Sequence, residues 1–316
     1  MRPWLPCGVL LLAGGVPAAC KAPRVDPGAA GEETVAPDGA GGYLAAMAAA
    51  LERLDQPLVA ERIFFPRPDP GTPPPPGSRD LSFPVADGVT LHARLHPAAP
   101  GAPIVLLFHG NGEIVADYDD VAEAYRRLGA ALLVVDYRGY GRSGGAPIPS
   151  ALIRDADRVL DHVRAELAPG GVPPVVVLGR SLGSAPAIHL AATRGGELAG
   201  LIVESGFART LPLLALVGVP VARLGLTEAD GFSNREALRR VRIPTLILHA
   251  DGDHIIPYED AVLNFEACGA EDKRLVTIEG ADHNSIHAYG GRTYWDAIGG
   301  MVRQAAAAAR GGSEGR

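Results

Sequence analysis

Cysteine is scarce in this sequence, with three residues among 316. Cys7 and Cys20 lie in the N-terminal segment, so Cys268 is the only cysteine in the body of the chain. A single cysteine cannot form an internal disulfide, and the fold therefore has to be stabilised by its hydrophobic core. The composition is sufficient for such a core, because 47% of the residues are hydrophobic and 21% are charged.

An excess of positive charge is also missing. The formal net charge is −7 at pH 7, and the sequence contains no basic stripe and no base-stacking motif. Nucleic acid is therefore not expected as a partner.

The N-terminal apolar run, residues 5–16, is shorter than the roughly 20 residues that a membrane span needs. The basic start Met1-Arg2 and the small residues before Cys20 instead predict a secretory signal peptide over residues 1–19. The segment resembles a bacterial lipoprotein signal, in which the cysteine becomes the acylated first residue, although Pro17 stands where leucine is usual. The alternative is an ordinary signal peptide in which the cysteine is incidental.

Residues 20–42 are small, polar and rich in Gly and Pro, which is typical of a disordered tether. Acylation of Cys20 would hold the protein on a membrane surface without a spanning helix. By resemblance to bacterial lipoproteins, Lys21 after the cysteine favours sorting to the outer membrane. We therefore expect an exported, lipid-anchored monomer in the bacterial cell envelope, facing the periplasm.

Residues 43–80 are predicted to form an N-terminal helix followed by a connector. The helical stretch runs from Tyr43 to Leu54. The connector contains four consecutive prolines within residues 66–77, which predicts a stiff polyproline segment.

From residue 81 to about residue 310, apolar runs alternate with helical stretches. This alternation predicts an α/β fold with a mostly parallel sheet covered on both faces, whose chemistry collects at the carboxyl ends of the strands. Asp87-Gly88 predicts a hairpin between the first two strands. The predicted strands are 81–85, 89–96, 104–108, 131–135, 175–178, 201–203, 245–248 and 274–278. The predicted helices are 117–128, 150–167, 184–194, 258–268 and 292–309.

Ser181 lies between two glycines in the stretch VVVLGRSLGSAP, which runs over residues 175–186. A strand before G-x-S-x-G and a helix directly after it are the context of a nucleophile elbow, where Gly179 and Gly183 let the backbone pass closely. A second G-x-S-x-G match surrounds Ser143, but prolines follow it and block an immediate helix. Ser181 is therefore the predicted nucleophile, and Ser143 is predicted to be a loop serine.

A serine hydroxyl needs a general base, normally a histidine that a carboxylate orients. The strand 245–248 leads into a loop with two acids, Asp251 and Asp253, and the strand 274–278 leads into a loop with His283. The chain order is therefore serine, acid, histidine, which is the order expected for the partners of a nucleophile elbow. The spacing alone leaves both aspartates open as the orienting acid.

Six segments together resemble the α/β-hydrolase superfamily, most closely the group with acyl-protein thioesterase-like and serine-aminopeptidase-like members. They are HGNG at 109–112, DYRGYGRS at 136–143, the Ser181 elbow, ESGF at 204–207, the Asp253 loop and His283. The resemblance extends from about residue 81 to the C-terminal helix. It implies the α/β-hydrolase fold and a catalytic triad that needs no cofactor.

The resemblance also assigns roles to individual residues. The acid of the family lies four residues before a proline, as Asp253 lies before Pro257, which favours Asp253 over Asp251. The backbone N–H groups of Asn111 and Leu182 would form the oxyanion hole. His109 and Gly110 would support the loop beneath the site.

Residues 205–240 form the only long segment without a clear strand, and their part from 211 to 224 is mostly apolar. The segment lies where this superfamily inserts its lid. It is predicted either as an ordinary covering helix or as a small apolar cap that forms an acyl pocket.

Two competing motifs are weak. Residues 139–144 match the dinucleotide fingerprint G-x-G-x-x-G, but prolines prevent a helix from starting there. His283 and His287 have the spacing of zinc-protease ligands but lack the glutamate after the first histidine, so no metal site is expected.

The expected function is hydrolysis of a carboxylic ester or thioester through an acyl-enzyme on Ser181, with a small molecule or acyl group as substrate. Peptide or amide hydrolysis on the same triad is the alternative reaction. A catalytically inactive binding lipoprotein with this fold is the alternative from another class.

Overall fold

The computed structural model describes residues 40–167 and 173–314. The predicted signal peptide, Cys20 and most of the predicted tether lie outside the described residues. Within these ranges, no helix is both long and apolar enough to cross a membrane.

Eight strands form one sheet in the described part of the chain, in the order β1-β2-β4-β3-β5-β6-β7-β8. The strands are β1 (Arg79–Ala86), β2 (Val89–His96), β3 (Ile104–Phe108), β4 (Ala131–Val135), β5 (Val175–Arg180), β6 (Gly200–Glu204), β7 (Thr245–Ala250) and β8 (Lys273–Ile278). β1 and β2 are joined by the predicted Asp87-Gly88 turn, and β2 runs antiparallel to both of its neighbours. All other pairings are parallel, so the prediction of a mostly parallel sheet is confirmed.

Helices cover both faces of this sheet. They are α1 (Ala40–Leu54), α2 (Pro57–Ile63), α3 (Ala122–Arg127), α4 (Pro149–Glu166), α5 (Ser184–Thr193), α6 (Thr210–Leu216), α7 (Asn234–Arg240), α8 (Tyr258–Ala267) and α9 (Ile286–Glu314). The side chains of β3 alternate between the two faces: Leu106 packs in the larger cluster with α1, α4 and α5, and Leu107 packs in the smaller one with α3 and α9. This alternation is the two-residue period of a strand whose two faces are both buried.

Several element bounds differ from the predicted ones for local reasons. The helix predicted at 117–128 is a 3-10 turn at Val115–Tyr118 followed by the short α3. The helix predicted from 292 begins at Ile286 and is kinked at Gly291, whose φ of +43° favours glycine. The short helices α2 and α7 were not predicted, since seven residues carry too few turns for a clear periodicity. The short α6 lies in the apolar part of residues 205–240, where a covering helix is one of the two predicted alternatives.

Residues 205–240 contain α6, a 3-10 turn at Glu228–Asp230 and α7, without a strand. The segment leaves the sheet at the carboxyl end of β6, beside the end of β5. In the described structure, α6 also packs against α2 of the N-terminal segment.

Candidate active site

Ser181 lies directly after β5 and has a φ of +51°, in the left-handed region that a non-glycine residue rarely adopts. A 3-10 turn over Ser181–Gly183 follows, and α5 begins at Ser184. The chain therefore turns sharply from strand to helix at the serine. A strained backbone of this kind costs on the order of 1–3 kcal/mol and is retained mainly at functional sites.

The two glycines of the elbow are required by close backbone approaches. A Cβ on Gly179 would lie 2.3 Å from the carbonyl oxygen of Gly183, and a Cβ on Gly183 would lie 2.0 Å from the carbonyl oxygen of Phe108. Neither position has space for a side chain. The elbow is thus packed tightly between its own helix and the end of β3.

Ser181, His283 and Asp253 form a continuous chain of hydrogen-bonding contacts. Ser181 Oγ lies 3.0 Å from His283 Nε2, and His283 Nδ1 lies 2.7 Å from Asp253 Oδ2. Because an ionised carboxylate can only accept, Nδ1 carries the hydrogen, and Nε2 is left to accept from the serine hydroxyl. These three side chains are largely buried, and Ser181 is 9% exposed.

Asp253 is held as an acceptor by its own loop. Its Oδ1 accepts hydrogen bonds from the N–H groups of Ile255 and Ile256 at 3.0 and 2.8 Å. Burial by itself would raise the pKa of this carboxyl group. Hydrogen bonds from His249 and His283 and from the backbone outweigh burial and hold the pKa of Asp253 well below its ordinary value.

The structure distinguishes the two candidate acids. Asp251 is exposed, and its Oδ1 accepts the N–H of Gly280 at 2.7 Å. Gly252 N–H also donates to the carbonyl of Ala281 at 3.0 Å. These two bonds hold the acid loop against the histidine loop, while Asp253 alone of the two aspartates contacts His283.

His109, Gly110 and Asn111 follow β3, whose end is adjacent to the elbow. His109 is fully buried, its Nδ1 lies 2.8 Å from the carbonyl of Gly110, and its own carbonyl accepts the hydroxyl of Tyr137 at 2.5 Å. The N–H of Gly110 donates to Glu113 Oε2 at 2.7 Å. The Nε2 atom of His109 lies 3.4 Å from Oδ1 of the buried Asp136. The side-chain contacts of His109 are thus with its own loop and with Asp136, and not with Ser181, His283 or Asp253. Leu182, the other predicted oxyanion donor, is the second residue of the 3-10 turn that follows β5.

The side chain of Asn111 connects this loop to the N-terminal segment, which sequence reasoning missed. Its Nδ2 donates to the carbonyl of Ile63 at 2.6 Å, and its Oδ1 accepts the N–H of Phe65 at 3.0 Å and the hydroxyl of Tyr140 at 2.6 Å. Arg67 adds a hydrogen bond to the carbonyl of Gly112 at 3.1 Å. No sequence pattern signals these contacts, because the partners are far apart in the chain.

Ser143 lies in a loop, away from a strand-to-helix turn. Its Oγ accepts the N–H of His92 at 2.8 Å and donates to the carbonyl of Asp136 at 2.9 Å. The next helix, α4, begins only at Pro149, so no helix N-terminus is available at the glycine-rich stretch for a pyrophosphate.

His287 lies four residues after His283 in the chain, and its side chain contacts a different group of residues. Its Nε2 lies 2.8 Å from the hydroxyl of Tyr294 and 3.4 Å from Glu204 Oε1. Among the residues that the structure describes, no group of three or more His, Cys, Asp or Glu side chains is arranged to hold a metal ion.

Comparison with known proteins agrees with this architecture. The family model described as serine aminopeptidase, S33, matches residues 100–226. An uncharacterized protein of Mycobacterium tuberculosis is 31% identical over 229 residues, which cover 71% of this chain and 78% of that protein. The chain belongs to the α/β-hydrolase superfamily.

Two further likenesses are consistent with that membership. The α/β-hydrolase domain-containing protein 17B of Xenopus tropicalis is 31% identical over 200 residues, covering 61% of this chain and 64% of that protein. The solved structure of Est1E from Butyrivibrio proteoclasticus with bound ferulic acid has a TM-score of 0.56 at 21% identity, covering 71% of this chain and 98% of that one. The solved structure shows the shared fold, and the family supports hydrolysis as the class of chemistry.

Proposed function

We propose that the protein is a serine hydrolase that cleaves a carboxylic ester or thioester through an acyl-enzyme intermediate. The observation that carries the proposal is the chain of contacts from Ser181 through His283 to Asp253, on a strained elbow at the carboxyl edge of the sheet. This arrangement provides an activated nucleophile at the position where the fold concentrates its chemistry.

In the proposed reaction, Ser181 Oγ attacks the acyl carbonyl carbon while His283 Nε2 accepts its proton. The carbonyl π electrons move to oxygen, and the backbone N–H groups of Asn111 and Leu182 would stabilise that oxyanion. Collapse of the tetrahedral species breaks the bond to the leaving group, which takes the proton from His283. Water then attacks the acyl carbonyl carbon while His283 Nε2 takes a proton from it. The bond from the acyl carbon to Ser181 Oγ breaks as His283 returns that proton to Oγ, and the carboxylic acid is released.

Asp253 would hold the imidazole in the tautomer with hydrogen on Nδ1 and stabilise its charged form. The low pKa of Asp253 supports this role, because the carboxylate stays ionised while the imidazole gains and loses its proton.

Exposed apolar side chains in and beside the cap segment, residues 205–240, support recognition of the acyl group of the substrate. Leu216 on α6 is 62% exposed, and Phe65, which adjoins Asn111, is 54% exposed. α6 follows the carboxyl end of β6 and packs against α2, and Phe65 contacts the loop that follows β3, so both segments adjoin the carboxyl edge of the sheet, where Ser181 also lies. We propose that they form an open apolar surface for the acyl chain.

Peptide hydrolysis is the second candidate reaction. The observation in its favour is the match of residues 100–226 to a family described as serine aminopeptidase. The same triad can cleave an amide, but the substrate then needs a pocket for a free amino group or for a particular side chain.

We also propose that the chain is exported and lipid-anchored through Cys20 at the outer membrane. The support is the N-terminal sequence alone: a short apolar run, small residues, a cysteine and a Gly/Pro-rich tether.

Labelling with a fluorophosphonate probe, followed by rate measurements on a substrate panel, tests the proposed function. The panel contains p-nitrophenyl esters from acetyl to palmitoyl, acyl thioesters and aminoacyl p-nitroanilides. We expect labelling of the folded protein and faster turnover of esters or thioesters than of anilides. Absence of labelling in protein with a native circular dichroism spectrum would refute a serine hydrolase, and faster turnover of the anilides would favour the peptidase.

A further inference from the structure

Arg180 is a buried charged residue directly before the proposed nucleophile, and the catalytic scheme above does not use it. It is the last residue of β5 and is 6% exposed. A buried guanidinium is strongly destabilising unless its donors are matched by acceptors, so its partners indicate why it is retained.

The guanidinium of Arg180 binds three acceptors on three different segments. Nη2 donates to the main-chain carbonyl of His283 at 3.0 Å, and Nη1 donates to the carboxylate of Glu113. Nε forms an ion pair at 3.2 Å with Glu204 Oε1, at the end of the neighbouring strand β6. The planar fork of arginine can satisfy such separate acceptors at fixed angles, which a lysine ammonium cannot do.

Glu113 connects Arg180 to the loop that follows β3, because its carboxylate binds both. The Oε2 atom of Glu113 accepts the N–H of Gly110 at 2.7 Å and the hydroxyl of Tyr118 at 2.6 Å. The loop backbone also packs directly on the guanidinium, because a Cβ on Gly110 would lie 2.5 Å from Arg180 Nη1. Gly110 immediately precedes Asn111, whose N–H is the proposed oxyanion donor.

Glu204 fixes the guanidinium from the side of β6. Its Oε2 accepts the hydroxyl of Tyr294 at 2.6 Å, and Tyr294 lies on α9, the helix that follows the histidine loop. Burial alone would raise the pKa of Glu204, but the charges of His287 and Arg180 and the hydrogen bond from Tyr294 lower it to about 2. The carboxylate is therefore ionised at neutral pH and remains a partner for Arg180.

We propose that Arg180 is a positioning residue that aligns the base and the oxyanion loop with the nucleophile. The inference rests on the proposed function of the Ser181 site. The guanidinium fixes the main chain of His283 directly and holds Gly110 through Glu113, while its own backbone carries Ser181. One side chain thus sets the relative positions of the three parts that must act together, and a displacement of about 1 Å in such a site can cost about 10²-fold in rate.

Arg94 provides a matched control within the same chain. It is buried as well, with no exposed surface, and it likewise binds two carboxylates and a main-chain carbonyl. These belong to Asp80, Asp119 and Thr72, at 2.8, 2.8 and 2.7 Å. Arg94 lies on β2, and none of its three partners belongs to the proposed catalytic group. The two arginines are therefore similar in burial and in the kinds of acceptor they bind. They differ in that only Arg180 binds segments of the proposed active site.

The test compares Arg180→Met and Arg180→Lys with Arg94→Met, using kcat and KM on the best ester of the panel at temperatures well below each melting temperature. We expect Arg180→Met to lower kcat by about 10²-fold with little change in KM, and Arg180→Lys to recover part of that loss. Arg94→Met should lower the melting temperature but keep kcat near the wild-type value. Equal loss of kcat in both Met variants, or wild-type kcat in Arg180→Met, would overturn the proposal.

Two further measurements keep the test decisive. If Arg180→Met does not fold, Arg180→Lys and Glu113→Gln replace it. Both variants should change kcat by a larger factor than KM.

The far-downfield proton resonance of His283 Nδ1–H reports the contact with Asp253 without requiring turnover. This resonance should shift or broaden in the Arg180 variants and stay unchanged in Arg94→Met; an unchanged resonance in all variants would contradict positioning. If wild-type protein is not labelled by the fluorophosphonate, the proposed function fails, while the resonance still tests the alignment.

Discussion

The Nε2 atom of His249 lies 3.4 Å from Oδ2 of Asp253, the same carboxylate oxygen that contacts His283. This nitrogen also lies 2.8 Å from the carbonyl oxygen of Ile256, so it carries a hydrogen. The N–H of His249 is therefore close to two acceptors, the Ile256 carbonyl and the Asp253 carboxylate. The contact with Asp253 favours the ionised form of that carboxyl group, and it gives the histidine buried near the end of β7 a partner.

Replacing Asp253 by asparagine should lower kcat by about 10⁴-fold, the precedent for losing the triad carboxylate. The amide no longer selects the Nδ1–H tautomer of His283, so Nε2 ceases to be the acceptor for Ser181. Asp251→Asn should retain most of the activity, since that side chain is exposed and accepts the N–H of Gly280. Ester turnover measured on both variants at matched melting temperature checks the assignment, and the reverse ranking would make it wrong.

Ser181→Ala should abolish fluorophosphonate labelling and ester turnover, because no other group replaces the attacking oxygen. Ser143→Ala should keep both. It should nevertheless lower the free energy of unfolding by about 1 kcal/mol, since Ser143 Oγ bridges the N–H of His92 and the carbonyl of Asp136. Gel-based labelling and urea denaturation of the two variants measure these effects. Loss of labelling in folded Ser143→Ala would show that the second motif carries the nucleophile.

Gly183→Ala should destabilise the elbow by about 1–3 kcal/mol and reduce labelling, because the new methyl group would lie 2.0 Å from the carbonyl oxygen of Phe108. Gly196→Ala is the matched control, since no atom lies within 4 Å of its added Cβ. Its free energy of unfolding should stay within about 0.5 kcal/mol of the wild-type value. Denaturant titrations decide between these outcomes, and equal stabilities for the two variants would contradict the packing argument.

Glu204 should make stability depend on pH in a defined direction. Its pKa is lowered from 4.5 to about 2, so the ionised form stabilises the native state above about pH 4.5, and this contribution is lost as the pH falls towards 2. The melting temperature of the wild type should exceed that of Glu204→Gln most clearly at neutral pH. The difference should narrow below pH 4.5, whereas a constant difference down to pH 3 would exclude this linkage.

Cys20→Ser should prevent acylation and leave the chain either uncleaved or released as soluble protein. Catalysis should survive, because residues 21–42 read as a spacer between the anchor and the hydrolase domain. Metabolic labelling with an alkyne fatty acid, in bacteria that express the protein, measures the modification. Equal label in both proteins would place the lipid elsewhere, and no label in either would indicate an ordinary secreted hydrolase.

Some features of this protein were predictable because they are local in the chain. The apolar run of β5, the glycines around Ser181 and the following helix together specify a strand-to-helix turn, whatever the rest of the fold does. The alternation of strands and helices likewise indicated a mostly parallel sheet. Ser181, the acidic loop and His283 each follow directly after a predicted strand. Because parallel strands end at the same edge of a sheet, all three groups were expected at that edge.

The tertiary structure decided what depends on loop conformation and on distant partners. Only Gly252 separates Asp251 from Asp253, and the turn of that loop alone determines which one points to His283 and which one accepts from Gly280. The contacts of Asn111 with the N-terminal segment and of Arg180 with Glu113 join positions between 46 and 67 residues apart. Sequence periodicity shows only which face of an element is apolar. The pairing of buried polar groups depends on how the whole chain packs in three dimensions, and these contacts therefore had no signal in the sequence.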